Sequence, residues 1–154
     1  MARQAPQRDR LCRAFAADCA DRVLPLFEDE RPDDARPRRA IAAARSAAAN
    51  AETEAALAAA FAAATQAGGA LRAAARSADD DRARRLRRAA TAAEVAADTC
   101  RPAPWEAAYD APIRAATYLF GRDPGLPMGP EWEAETAWQA ACLRRHLAWL
   151  PEIG

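Results

Sequence analysis

The positions where this chain would place core residues are held mostly by alanine. One apolar stripe runs Leu57, Phe61, Ala64, Gly68, Leu71, Ala75, and a second runs Ala83, Leu86, Ala90, Ala93, Ala97, Cys100. Both alternate steps of four and three residues, the period of one helix face in a coiled-coil-like seam. Alanine is the strongest helix former, and it supplies 47 of the 154 residues. No period-two alternation of a strand occurs, so the expected class is all-α. Beyond Ala and the 4 Cys, only 28 large hydrophobic side chains remain. Helices of this kind must make contact through backbone and methyl groups at close approach. The two stripes, on consecutive helices with a short joint, predict an antiparallel pair with Gly68 at its tightest crossing.

Six helices are expected in one antiparallel bundle, or seven if Pro112 splits the fifth. Residues 1–8 read as a flexible tail and 9–154 as one domain, since the length suits one core and not two. The first helix starts near Asp9, with Leu11, Phe15, Cys19, Val23 and Phe27 along one face. Asp9–Arg13 and Asp18–Arg22 would pair at i,i+4 on its wet side. Pro25 ends or kinks it near Leu24. Pro37 suits the first turn of the second helix, which runs to about Asn50, and Asn50 can cap the third. The fourth starts near Asp79, with Asp80–Arg84 and Asp81–Arg85 as i,i+4 pairs. The fifth carries Trp105, Tyr109, Ile113, Ala116 and Phe120 and closes at Gly121. Pro130 opens the sixth, which places Trp132, Thr136, Gln139, Leu143, Leu147 and Leu150 on one side and Trp138, Cys142 and Trp149 on another.

Charge and composition remove several function classes. The 22 basic residues, all Arg, balance 22 acidic ones. Arg82, Arg84, Arg85, Arg87 and Arg88 form a basic run, but Asp79, Asp80 and Asp81 precede it and no aromatic residue lies nearby to read bases. It reads as a salt-laced helix face, and no nucleic-acid partner is expected. The longest charge-free stretch, Ala55 to Leu71, is too short and too weakly apolar to span a bilayer, so no membrane role is expected. The opening MARQAPQRDR lacks the apolar core of a signal peptide, which makes the cytoplasm the expected location and reduced thiols the expected state of the cysteines.

Sites for chemistry are sparse. There is one histidine, His146, and two serines, Ser46 and Ser77, both in helical Ala-rich surroundings. No phosphate-binding Gly-rich loop is present. Neither a catalytic residue nor a cofactor is expected. Cys142 and His146 share a helix face at i,i+4, as do Cys12 and Cys19 at i,i+7, so a metal site needs those two helices to pack together. The competing reading is that the thiols are small hydrophobes and His146 is a cation near a helix C-terminus. The segment Glu28, Asp29, Glu30, Asp33, Asp34 is either an acidic recognition surface or is closed by Arg36, Arg38 and Arg39 that follow it. In a chain this short of large side chains, an exposed Trp would be a contact hot spot.

The stretch Asp18-Cys-Ala-Asp-Arg-Val-Leu-Pro-Leu-Phe-Glu28, then Arg31-Pro-Asp-Asp-Ala-Arg-Pro-Arg-Arg-Ala-Ile41 and Ala44-Arg45, resembles the opening of the bacterial "putative immunity protein" family. Those are all-α partners of toxins in polymorphic-toxin systems. Trp138-Gln139 and Leu143 are similar to the family's closing segment. Ala92 to Asp98 and Arg101 to Trp105 depart from it, since the family carries histidines in its later helices. The resemblance implies a non-enzymatic protein that binds a cognate toxin and occludes its active site. Glu28, Asp29, Glu30, Asp33 and Asp34 are then the candidate contact surface, with Trp132, Trp138 or Trp149 as an apolar anchor. The alternatives are a self-associating helical scaffold, dimeric through the seams at Gly68 and Ala93, and a small metalloprotein or enzyme using Cys142 and His146.

Overall fold

A computed structural model describes residues 4–50, 52–116 and 129–148. Its described residues hold seven helices and no strand: α1 (Gln4–Val23), α2 (Pro25–Glu28), α3 (Arg36–Ala48), α4 (Glu54–Ala75), α5 (Asp80–Asp98), α6 (Pro104–Arg114) and α7 (Pro130–Leu147). The seventh helix does not come from Pro112, which stays inside α6. It is α2, a single turn that Pro25 opens where α1 stops. No helix among the described residues is long and apolar enough to cross a membrane. Phe120, Gly121, Trp149 and Leu150 lie outside the described residues.

Helix α5 is the axis of the bundle, with α1, α2, α3, α4 and α6 all packed against it. From Ala89 to Cys100 every residue is buried except the half-buried Glu94. A helix can be enclosed on so many sides only if its side chains are short, and this segment is mostly Ala. Of the expected α4 seam, Leu57, Ala64, Gly68, Leu71 and Ala75 are buried, whereas Phe61 is half-buried. At Gly68 the two helices are in close contact. A Cβ there would lie 3.0 Å from the Ala90 carbonyl oxygen and 3.2 Å from Glu94 Cγ. Ala93 lies on the same spot, so both small residues of the proposed dimer seam are used within one chain.

Helix termini follow local chemistry with two departures. Asp79 caps α5 by accepting from the Arg82 amide, as its position before an acidic first turn suggests. Asn50 does not cap α4. It follows the end of α3 at φ 58°, a left-handed conformation that Asn tolerates better than most residues. Thr53 takes the cap instead and accepts from the Ala56 amide. The other departure is at the N-terminus, where α1 begins at Gln4 and not near Asp9. Pro37 stands in the first turn of α3 as expected, and Asp34 secures that turn. Its carboxylate accepts from the Arg36 amide at 3.1 Å and takes two bonds from the Arg36 guanidinium at 2.9 and 2.6 Å.

The short-range ion pairs expected on α1 and α5 give way to longer ones. Arg13 is buried and donates to the carbonyls of Thr99 and Pro102, satisfying the C-terminal end of α5. Arg82 and Arg85 turn toward Glu30. Asp81 pairs with Arg84, and at i,i+3. Arg82 and Arg85 thus find their charge on another segment, Arg13 finds backbone carbonyls, and Arg84 stays within its own helix. Asp98, almost fully buried, ties α6 to α5 through Arg101 at 2.8 Å and Arg114 at 3.4 Å.

Two predictions follow from this packing. Gly68→Ala destabilises the protein by about 1–3 kcal/mol, because the clash is with backbone and outweighs the gain in helix propensity. Gly69→Ala meets nothing within 4 Å and stabilises it by up to about 1 kcal/mol. Urea unfolding of the two variants should therefore shift in opposite directions. The second prediction concerns acid. Hydrogen bonds from Arg36 hold the Asp34 carboxyl below its usual range. The stabilisation it contributes is present above the unfolded carboxylate pKa of about 4 and is lost as pH falls through the lower folded value. Asp34→Ala should cost about 1 kcal/mol at pH 7 and flatten that part of the pH–stability curve.

Candidate functional site

The α1–α7 contact brings together residues far apart in sequence. Helix α7 presents Glu135, Trp138, Cys142 and His146 to α1, steps of three, four and four that lie on one face. Phe15, Cys19 and Cys142 form a small buried cluster apart from the main core, with Trp138 packed on it. The larger apolar side read from the sequence is not the one buried, since Leu143 and Leu147 are exposed. Polar groups direct the docking instead. Glu135, only 1% exposed, accepts from Arg22 Nε at 2.6 Å and from Gln139 Nε2 at 3.0 Å. The Arg22 guanidinium lies over the Trp138 ring, 4.4 Å from its centroid. Gln139 also donates to the Pro112 carbonyl, fastening α7 to α6.

At the C-terminal end of α7, His146 Nε2 lies 2.9 Å from Asp18 Oδ2, and Cys142 Sγ lies 3.7 Å from the same oxygen. Arg45, from α3, holds Asp18 Oδ1 at 3.0 Å and Asp21 Oδ2 at 3.1 Å. The Phe15 ring meets His146 edge-on at 6.4 Å. Burial pushes the Asp18 carboxyl upward, but hydrogen bonds from Arg45 and His146 more than offset it and leave it below the usual range. Burial pushes the Cys142 and Cys19 thiols up. By spacing alone, the face partners offered to Cys142 and His146 are Cys12 and Cys19. The helices do pack together, but it is Asp18 that joins Cys142 and His146 as a close donor group. All four cysteines are free thiols. Cys100 sits in the main core and donates to the Ala40 carbonyl.

The acidic segment is largely closed from within. Glu28 takes two bonds from Arg38 at 2.7 and 2.8 Å. Glu30 pairs with Arg82 and Arg85, and Asp34 with Arg36. Asp29 and Asp33 are exposed and make no such contact. Among the tryptophans, Trp132 and Trp138 are half-buried, Trp138 by the contacts just described, and Trp149 is outside the described residues.

The exposed aromatic surface lies on α6, and the sequence reading had not assigned it to a partner. Trp105 is 56% exposed, Tyr109 65% and Ile113 44%. These are successive i,i+4 positions, one stripe along the helix. The opposite face, Ala107, Ala111 and Ala115, is fully buried. A signal for this was present, because Ala also recurs at i,i+4 on α6 as it does in the seams of α4 and α5. No curated protein and no solved structure matches the chain. The family model described as "Imm-5 like putative immunity protein" matches residues 3–146, nearly the whole length. By that match the chain belongs to this family.

Proposed function

We propose that this chain neutralises a cognate bacterial toxin by binding it and covering its active site, without catalysis of its own. Membership of an immunity-protein family supports a protein partner in general. The observation that carries the reading to a surface is the α6 stripe. A chain with so few large side chains leaves Trp105, Tyr109 and Ile113 in solvent while it builds its core from alanine. An aromatic and aliphatic row of this kind is the usual make-up of an interface centre. Asp29 and Asp33, the acidic-segment carboxylates not tied to Arg, add negative charge that acts on encounter rate and partner choice. Glu28, Glu30 and Asp34 serve the fold first, and their contribution to a partner would come through the shape of the segment they hold. Trp132 is the remaining anchor on α7.

The test begins with capture of a near-stoichiometric partner from source-cell lysate at physiological salt. The expected partner is toxic when expressed alone and harmless when co-expressed with this chain. Trp105→Ala should weaken that complex about 30-fold, or about 2 kcal/mol. Asp29→Lys with Asp33→Lys should slow association more than it speeds dissociation. A toxic partner bound equally well by all these variants would place the interface elsewhere. A stable dimer with no partner would favour the scaffold reading.

A further inference from the structure

We propose that Asp18, Cys142 and His146 form a binding site for a zinc-class divalent metal ion that fastens α7 to α1. The three ligand atoms, a carboxylate oxygen, a thiol sulfur and an imidazole nitrogen, lie within 4.8 Å of one another. Tetrahedral zinc holds sulfur at about 2.3 Å and nitrogen or oxygen at about 2.0–2.2 Å, which sets neighbouring donors roughly 3.3–3.6 Å apart. The observed separations from Asp18 Oδ2, 3.7 Å to Cys142 Sγ and 2.9 Å to His146 Nε2, need shifts of only a few tenths of an ångström. Borderline-soft sulfur and nitrogen donors select zinc-type ions over magnesium or calcium.

The surroundings suit such an ion. Cys142 and His146 are one turn apart on a single helix, and Asp18 comes from the C-terminal half of another. Arg45 binds Asp18 Oδ1, which orients the carboxylate and leaves Oδ2 directed at the other two donors. Phe15 fixes the plane of the imidazole. Without an ion, the buried thiol makes a long contact with a carboxylate oxygen that His146 already engages. With one, the thiol loses its proton to solvent and the thiolate and carboxylate share a positive charge. No fourth His, Cys, Asp or Glu joins the group among the described residues, so the fourth position falls to water or to an incoming ligand. Asp18 and His146 keep part of their surface exposed, which leaves a path for it.

The experiment uses the untagged full-length chain, stripped with chelator and titrated with cobalt(II) and then zinc. One equivalent of cobalt should give a thiolate-to-metal charge-transfer band and the intense visible bands of tetrahedral geometry, and zinc should abolish both. Cys142→Ser should remove the charge-transfer band. His146→Gln and Asp18→Asn should each weaken binding at least tenfold, whereas Cys12→Ser should leave it unchanged. Circular dichroism of each variant separates loss of metal from loss of fold. Should Cys142→Ser fail to fold, His146→Gln carries the test, because zinc should raise the melting temperature of the wild type and not of that variant. No charge-transfer band at one equivalent, a band that survives Cys142→Ser, or an equal zinc effect on the wild type and His146→Gln would each overturn the site.

Discussion

The enclosure of α5 by five neighbouring helices is the constraint on which the rest of the structure depends. Large side chains would hold those neighbours at ordinary helix–helix spacing and leave no room for all of them. Ala89, Ala90, Ala92, Ala93, Ala96 and Ala97 remove that limit, and Gly68 removes it once more on the facing helix. Cohesion then comes from many methyl and backbone contacts, each weak, at short range. Such a core tolerates substitution poorly, because an added methylene has no flexible neighbour to displace.

Close packing also explains where the charges go. Most of the ion pairs named above join different segments: Glu30 to α5, Asp18 to α3, Glu135 to α1 and Asp98 to α6. Exposed pairs of this kind contribute little individually. Glu135 differs, because it is buried and would be left uncompensated if Arg22 were lost. Helix α7 is therefore held by polar groups and a small thiol–aromatic cluster, a different means of attachment from the alanine seams elsewhere. A metal ion at Asp18, Cys142 and His146 would strengthen that same contact at its far end.

Much of this was legible from the residues. The four-three spacing on α4 and α5 located a seam with Gly68 in close contact, Asp79, Pro37 and Pro130 marked helix starts, and Pro25 marked the end of α1, all by well-understood local chemistry. The orientation of α6 was not legible from periodicity alone. Trp105, Tyr109 and Ile113 share a face, and so do Ala107, Ala111 and Ala115. Periodicity identifies both faces, and only the size of the space beside α1 and α5 decides which one is buried. The donor group at α7 was half legible. Cys142 and His146 announce a common face, but Asp18 lies 128 residues from His146 and is one of 22 acids. Nothing local distinguishes it until the helices are packed.

On α6 alanine faces inward and the aromatic row outward, and the proposed binding surface rests on that inversion. Amide hydrogen exchange of the chain alone and in complex with the protein it captures tests this. Exchange should slow on binding along residues 104–114, with little change in the α4–α5 hairpin, whose buried seam should protect its amides already in the free chain. Protection gained in the hairpin and absent from α6 would contradict it.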